Sequence, residues 1–370
     1  MTPARAAKRA GTRARSATPV FDEGILEALS NADGPSGGEG PVRDLVVGAV
    51  RDHVDSMEVD AMGNLVCRVA PRAGAGRGGR GRRGPHVMLC AHMDEVGFMV
   101  TAVEKDGRVR VRKLGGIDPR ILVGQVFRIG ARGVRGVVAV LPPHLLTDND
   151  MNKVTKIEDH YLDIGARSRE EALAAVSVGD FVAWDTTYES WGQIRKGKAF
   201  DDRVGCAVLA SLVTRRPPVP VTAVWSVQEE LGLRGAAAAG RRVQPDVAII
   251  LEGTASGETP GAGAEEQVPY MGRGPVITVL DRSLMANERL VSLLDRTAAR
   301  RRIPTQRKRP GVGGTDAGRI ALAGAGVASA VVSVPCRYIH APAAYLDIRD
   351  PRRVVDLVWH ALEALGKEWS

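Results

Sequence analysis

From about residue 187 onward, short apolar runs alternate with stretches of helical periodicity. The runs at 221–227, 247–251 and 330–334 read as buried strands, and 202–214, 233–240, 284–301, 315–322 and 351–365 read as helices. That alternation predicts an α/β domain, a mostly parallel sheet between two helical layers. Earlier, 21–29 and 42–57 have helical spacing, 58–69 reads as strand, turn and strand around Gly63-Asn64, and 87–90 is a further apolar run. After His92 the character changes. Segments at 109–113, 124–129 and 136–141 are punctuated by glycines, and a helical stretch at 168–176 precedes a strand at 181–183. This spacing predicts a small β-barrel or sandwich of roughly 90 residues. The expected division is a disordered basic tail at 1–20, a catalytic α/β domain at 21–95 and 185–370, and an inserted β module at 96–184.

With 370 residues, 44% hydrophobic and 25% charged, the chain can bury a large core. No apolar stretch reaches the ~18 residues of a membrane span, and the basic start lacks the apolar centre of a secretory signal. The net charge of +8 is unevenly placed. Five basic residues without an acid stand in 1–20, and five arginines without an acid in 72–84. Outside these Gly/Ala/Arg segments, acids slightly outnumber bases, although 300–302 and 307–309 are local basic clusters. Aromatic residues are only 4%, which leaves few platforms for stacking bases. No membrane and no specific nucleic-acid partner is therefore expected. Cys67, Cys90, Cys206 and Cys336 lack paired spacing and read as thiols of a cytoplasmic protein.

Ligands of open α/β sheets bind beyond the carboxyl ends of the strands, and metal-capable side chains crowd those ends here. Glu229-Glu230 follow 221–227, His92-Met93-Asp94 follow 87–90, Glu252 ends 247–251, His340 lies shortly after 330–334, and Asp201-Asp202 open a helix. Any one of these alone would more often be a cap or a polar contact. Together, imidazoles and carboxylates without a thiolate suit two divalent ions of the zinc, cobalt or manganese kind. The expected arrangement has His92, Asp201 and Glu252 on one ion and Asp201, Glu230 and His340 on the other, with Asp201 bridging. Glu229 is left as the general base towards a water that the metals activate. Asp94 orients His92. Asp202, Thr315 and Asp316 are expected around the metals or the substrate, although Asp202 also suits an acidic helix start and Thr315-Asp316 a turn and cap.

The segments AHMDEVGFMV (91–100), FDDRVGCAVL (200–209), VQEELGLRGA (227–236), ILEGTASGETPG (250–261), GGTDAG (313–318) and PCRYIH (335–340) carry a wider likeness. In these, and in their order and spacing, the chain resembles the dinuclear-metal aminopeptidases of the tetrahedral and glutamyl aminopeptidase type. The resemblance implies the same five ligands, with Glu229 as the general acid/base. It implies a PDZ-like inserted barrel used in subunit contacts, and a homo-oligomer from dimer to dodecamer that takes short peptides. Glu252 and Glu258 stand where Asp is frequent in that family, and Ala341 and Ala344 replace polar residues often found there. The expected function is release of amino-terminal residues from short peptides, with zinc or cobalt as the ions. The competing expectation is a deacylase or amidase acting on small N-acyl compounds at the same site.

Overall fold

The computed structural model describes residues 20–71, 84–139, 141–145, 153–263 and 269–369. The basic tail at 1–20 and the Arg/Gly loop at 72–84 lie outside the described residues, apart from Val20 and Gly84.

Helix α1 (Glu23–Asn31) starts where the Asp22 carboxylate accepts the Ile25 N–H at 3.2 Å. Helix α2 (Gly40–Val50) is shorter than the helical spacing of 42–57 predicts. A 3-10 turn follows, and the chain then enters strand β1 (Ser56–Val59), paired with β2 (Leu65–Val69). The Asp60 carboxylate closes that hairpin by accepting the N–H groups of Met62, Gly63 and Asn64. Pairing of β1 with β2 has overridden the local helical pattern. Strand β3 (Val87–His92) comes next and is buried throughout.

Six strands then close a barrel: β4 (Gly97–Val103), β5 (Val109–Leu114), β6 (Val126–Ile129), β7 (Val134–Val138), β8 (Tyr161–Asp163) and β9 (Phe181–Trp184). Helix α3 (Arg169–Ala175) lies before the last of them. Phe98, Phe127 and Trp184 pack ring against ring inside it, with centroids 4.5–6.4 Å apart. Strands β4 and β8 have no counterpart in the sequence expectations.

The α/β domain resumes with β10 (Glu189–Trp191), β11 (Ile194–Gly197), α4 (Phe200–Val213), β12 (Val221–Ser226), α5 (Arg234–Val243) and β13 (Val247–Ala255). It continues through β14 (Val276–Thr278), α6 (Glu288–Arg301), β15 (Gln306–Arg307) and α7 (Ala317–Ile320). It ends with β16 (Ala328–Arg337), β17 (Ala344–Asp347) and α8 (Arg349–Glu368). Helix α6 begins four residues later than the spacing predicts, because the Asn287 side chain caps it by accepting the Leu290 N–H at 3.0 Å.

The sheet order is β1-β2-β12-β3-β13-β16-β17-β11-β10, with β14 on β16 and β15 on β14. Its centre, β12-β3-β13-β16, is parallel, as the alternation predicts. Antiparallel hairpins extend both edges. The central strands are buried on both faces, the pattern of a sheet covered by helices. Helix α4 crosses β3 and β13 and is itself packed by α1, α2 and α8. Helices α5 and α7 pack on each other over β12, β13 and β16, which makes the second helical layer. Among the described residues no helix is long and apolar enough to cross a membrane.

Candidate metal centre

The carboxyl ends of the central strands meet in register. His92 closes β3 directly beside Ser226, the last residue of β12. From there the chain runs through Val227 and Gln228 to Glu229 and Glu230. Glu252 lies in β13 opposite Ser333 of β16, and His340 follows the end of β16 by three residues. Asp201 and Asp202 sit at the start of α4 with non-helical dihedral angles, so the regular helix begins only at Arg203. The peptide bond between these two aspartates is cis. Non-glycine residues with positive φ gather here: Ala199, Gln228, Leu233, Tyr338 and His340 are five of the eight among the described residues. Backbone strain of this kind concentrates at functional sites.

All five expected ligands converge. His92 Nε2 is 3.1 Å from Asp201 Oδ1 and 3.2 Å from Glu252 Oε1. His340 Nε2 is 2.9 Å from Glu230 Oε1 and 3.4 Å from Asp201 Oδ2. Asp201 thus turns one oxygen to each group. In both triads, His92–Asp201–Glu252 and Asp201–Glu230–His340, the ligand atoms lie within 4.8 Å of one another. The Glu229 carboxylate is different. It lies near His92 and Glu230, but among the described residues it makes no hydrogen bond or ion pair.

The ring nitrogens test whether a cation fits. His92 Nδ1 faces the Asp94 carbonyl at 3.1 Å, and His340 Nδ1 faces the Gly116 carbonyl at 2.9 Å. A carbonyl oxygen only accepts, so both Nδ1 atoms carry hydrogen. In the neutral rings each Nε2 then points a lone pair at carboxylate oxygens. That contact is repulsive unless the ring gains a proton or a cation lies between. Burial works against charging His340, but its hydrogen bonds to Asp201 and Glu230 outweigh this and raise its pKa to about 11. Burial raises Glu252 to about 8, against the pull of His92. Burial, together with the negative charges of Glu252, Asp316 and Glu230, also pushes Glu229 well above the usual carboxylate range, against the pull of His92. A dense set of buried acids and two lone pairs aimed inward suits divalent cations.

The other residues expected around the metals or the substrate lie as follows, with the Asp94 carboxylate 3.4 Å from His92 Nδ1. Asp94 is fully buried; its carboxylate accepts the N–H groups of Glu229 at 2.9 Å and Glu230 at 3.1 Å, and the Ser36 hydroxyl at 2.6 Å. Asp202 accepts the His92 N–H at 3.1 Å. Thr315 is buried and donates to Asp281 at 3.2 Å, and it lines the cleft beside the centre. Asp316 accepts the Ser226 hydroxyl at 2.5 Å.

A family model described as M42 glutamyl aminopeptidase matches residues 75–357. The chain belongs to that family. The lysyl aminopeptidase of Pyrococcus furiosus is 33% identical over 355 residues, covering 94% of this chain and 98% of the relative. A TET aminopeptidase from a marine-sediment thaumarchaeote is 34% identical with a TM-score of 0.86, covering 92% of this chain and 95% of that one. The Pyrococcus horikoshii TET1 peptidase, which can assemble into a tetrahedron or a large octahedral shell, is 30% identical with a TM-score of 0.78, covering 94% and 99%. The M42 chain described here is a metal-dependent aminopeptidase, a hydrolase of peptide bonds.

Three parts of this M42 site escaped the sequence reading. Glu39, directly before α2, accepts the N–H of the strained Gln228 at 3.0 Å and that of Gly37 at 2.8 Å. Glu95 is buried against Lys198 Nζ at 2.6 Å and Arg203 Nη2 at 3.2 Å. Arg203 also donates to the Met93 carbonyl at 2.8 Å, tying α4 to the turn after β3. The only local signal for Glu95 was its place directly after His92-Met93-Asp94. The Gly116 carbonyl had no signal at all.

Proposed function

We propose that His92, Asp201 and Glu252 hold one divalent ion and that Asp201, Glu230 and His340 hold a second, with zinc or cobalt as the ions. Glu229 serves as the general base and then the general acid while amino-terminal residues are released from short peptides. The observation that carries this assignment is the difference between the two adjacent glutamates. Glu230 is engaged by His340 at 2.9 Å, whereas the Glu229 carboxylate has no hydrogen-bond or ion-pair partner among the described residues and lines the cleft. When bound, the two ions would lower the pKa of a water and polarise the scissile carbonyl.

The chain supplies the remainder. Burial holds the Glu229 carboxyl ready to take a proton and to return it to the leaving amine. The Asp94 carboxylate fixes the main chain of both glutamates. The cleft beside the centre, about 320 Å³, gives room for the substrate's first side chain. Kinship does not choose that side chain, since the family is named for glutamyl and one relative for lysyl substrates. The module at 96–184 is read as the assembly surface, with 21–95 and 185–370 as the catalytic domain. The assembling TET1 neighbour supports a homo-oligomer, and the cytoplasm is the compartment assigned.

The test is turnover of aminoacyl-anilides against N-acetyl amino acids, after chelation and after adding back zinc, cobalt or manganese. Anilide hydrolysis restored by metal is the expected result. Hydrolysis of the N-acetyl compounds alone would replace the aminopeptidase reading with a deacylase.

A further inference from the structure

We propose that a cavity beside β15, separate from the metal-centre cleft, binds a small polyphosphate anion, inorganic or carried on a nucleoside. The site does not depend on the assignment of the metal ligands.

The cavity measures about 620 Å³, a size common for small-molecule sites. Arg273, Arg307 and Arg353 line it together with Tyr270, and no acidic residue does. It shares no lining residue with the metal-centre cleft: Arg307 faces this cavity, and the next residue, Lys308, lines the other. The loop that carries Tyr270 and Arg273 is fixed from two directions. Gln306 in β15 accepts the Tyr270 N–H at 2.8 Å, and its amide nitrogen donates to the carbonyls of Tyr270 at 2.9 Å and Gly274 at 3.0 Å. From the start of α8, the buried Asp350 carboxylate accepts the N–H groups of Gly272 at 2.6 Å and Gly274 at 2.8 Å. Both glycines have positive φ, 76° and 99°, which this close turn requires.

The three guanidinium groups keep donors to spare. Arg307 is anchored through Nη2 alone, on Asp295 at 2.6 Å. Arg353 is anchored through Nη1 alone, on the Gly272 carbonyl at 2.9 Å and 3.6 Å from Asp350. The Arg273 guanidinium lies over the Tyr270 ring, 4.3 Å from its centroid, a contact that holds its plane and leaves its N–H edge open. Among the described residues Arg273 has no hydrogen-bond or ion-pair partner. Asp295 and Asp350 thus stand against three cations, and one positive charge is left unmatched at the cavity wall. A single carboxylate would occupy one guanidinium fork. A run of phosphates offers several charged oxygens to three forks at once, the pairing for which arginine is suited. Because Gln306 and Asp350 already fix the loop, little ordering remains to oppose binding.

The test is calorimetric titration of the metal-loaded full chain with inorganic triphosphate, ATP, adenosine and citrate, on wild type and on the Arg273→Ala and Arg273→Glu variants. Triphosphate and ATP are expected to bind wild type, and adenosine is not. Arg273→Ala should weaken both phosphate ligands by about tenfold or more, the scale of one charge-assisted hydrogen bond, and Arg273→Glu should abolish their binding. Hydrolysis of leucyl-anilide should stay at the wild-type level in both variants. ATP binding more tightly than triphosphate would support the site with a nucleoside-borne ligand, and equal affinities would support it with the inorganic one. The same affinity in all three proteins would place the anion on the metals instead and overturn the proposal. No binding to wild type would overturn it as well, and citrate binding as tightly as triphosphate would overturn the choice of phosphate.

Discussion

Glu229 and Glu230 are neighbours in the chain with different surroundings. Glu230 is held by His340, and among the described residues Glu229 is held by nothing beyond its own N–H on Asp94. Glu229→Gln keeps the shape and removes the proton acceptor. Its kcat should fall by several orders of magnitude, towards the ~10²–10⁴ that general acid–base catalysis commonly supplies or beyond. Metal content by mass spectrometry should stay at the wild-type level, because this residue is not among the proposed ligands. Near-normal turnover would remove Glu229 from the role. Glu39 acts one step further back, through the backbone of Gln228 at φ 54°. Glu39→Ala leaves the half-buried Gln228 N–H unpaired, a loss of at most about 1–3 kcal/mol. We expect kcat to fall at least about tenfold with KM nearly unchanged, and Glu39→Asp to recover part of it. A change in KM alone would place Glu39 in substrate binding instead. The proposed ligands stood out because His92, Glu230, Glu252 and His340 lie at or just past the ends of apolar runs, with Asp201 opening a helix. Glu39 was not, because it acts on a main-chain N–H 189 positions away, and nothing in its local sequence marks that.

At the level of elements, the parallel centre was legible because β3, β12 and β13 are nearly continuous apolar runs. The antiparallel edges and the barrel strands β4 and β8 were not. Their side chains are mixed in burial, and their identity as strands comes from partners distant in sequence. The same holds where α2 gives way to β1. The joint between α4 and the turn after β3 is a buried ionic cluster, with Glu95 between Lys198 and Arg203. Removing one member of such a cluster leaves uncompensated charge. Glu95→Ala is therefore expected to destabilise the fold by about 3–5 kcal/mol, read as a lower midpoint in urea. An unshifted midpoint would show that water or other groups satisfy the two cations.

Across the whole molecule, the metal centre is not the property of the α/β domain alone. The loop after β5 supplies the Gly116 carbonyl to His340. At Gly115 a Cβ would come within 3.2 Å of the Glu230 side chain. Barrel and centre are thus joined through a main-chain contact that no side-chain pattern could announce. Most of the architecture followed from hydrophobic periodicity, whereas this joint is visible only in three dimensions. The most direct test of the central claim is anomalous diffraction from crystals of the full chain grown with zinc. The expected result is two peaks per chain, one within bonding distance of His92, Asp201 and Glu252, the other of Asp201, Glu230 and His340. A single peak, or peaks away from Asp201, would contradict the bridged pair.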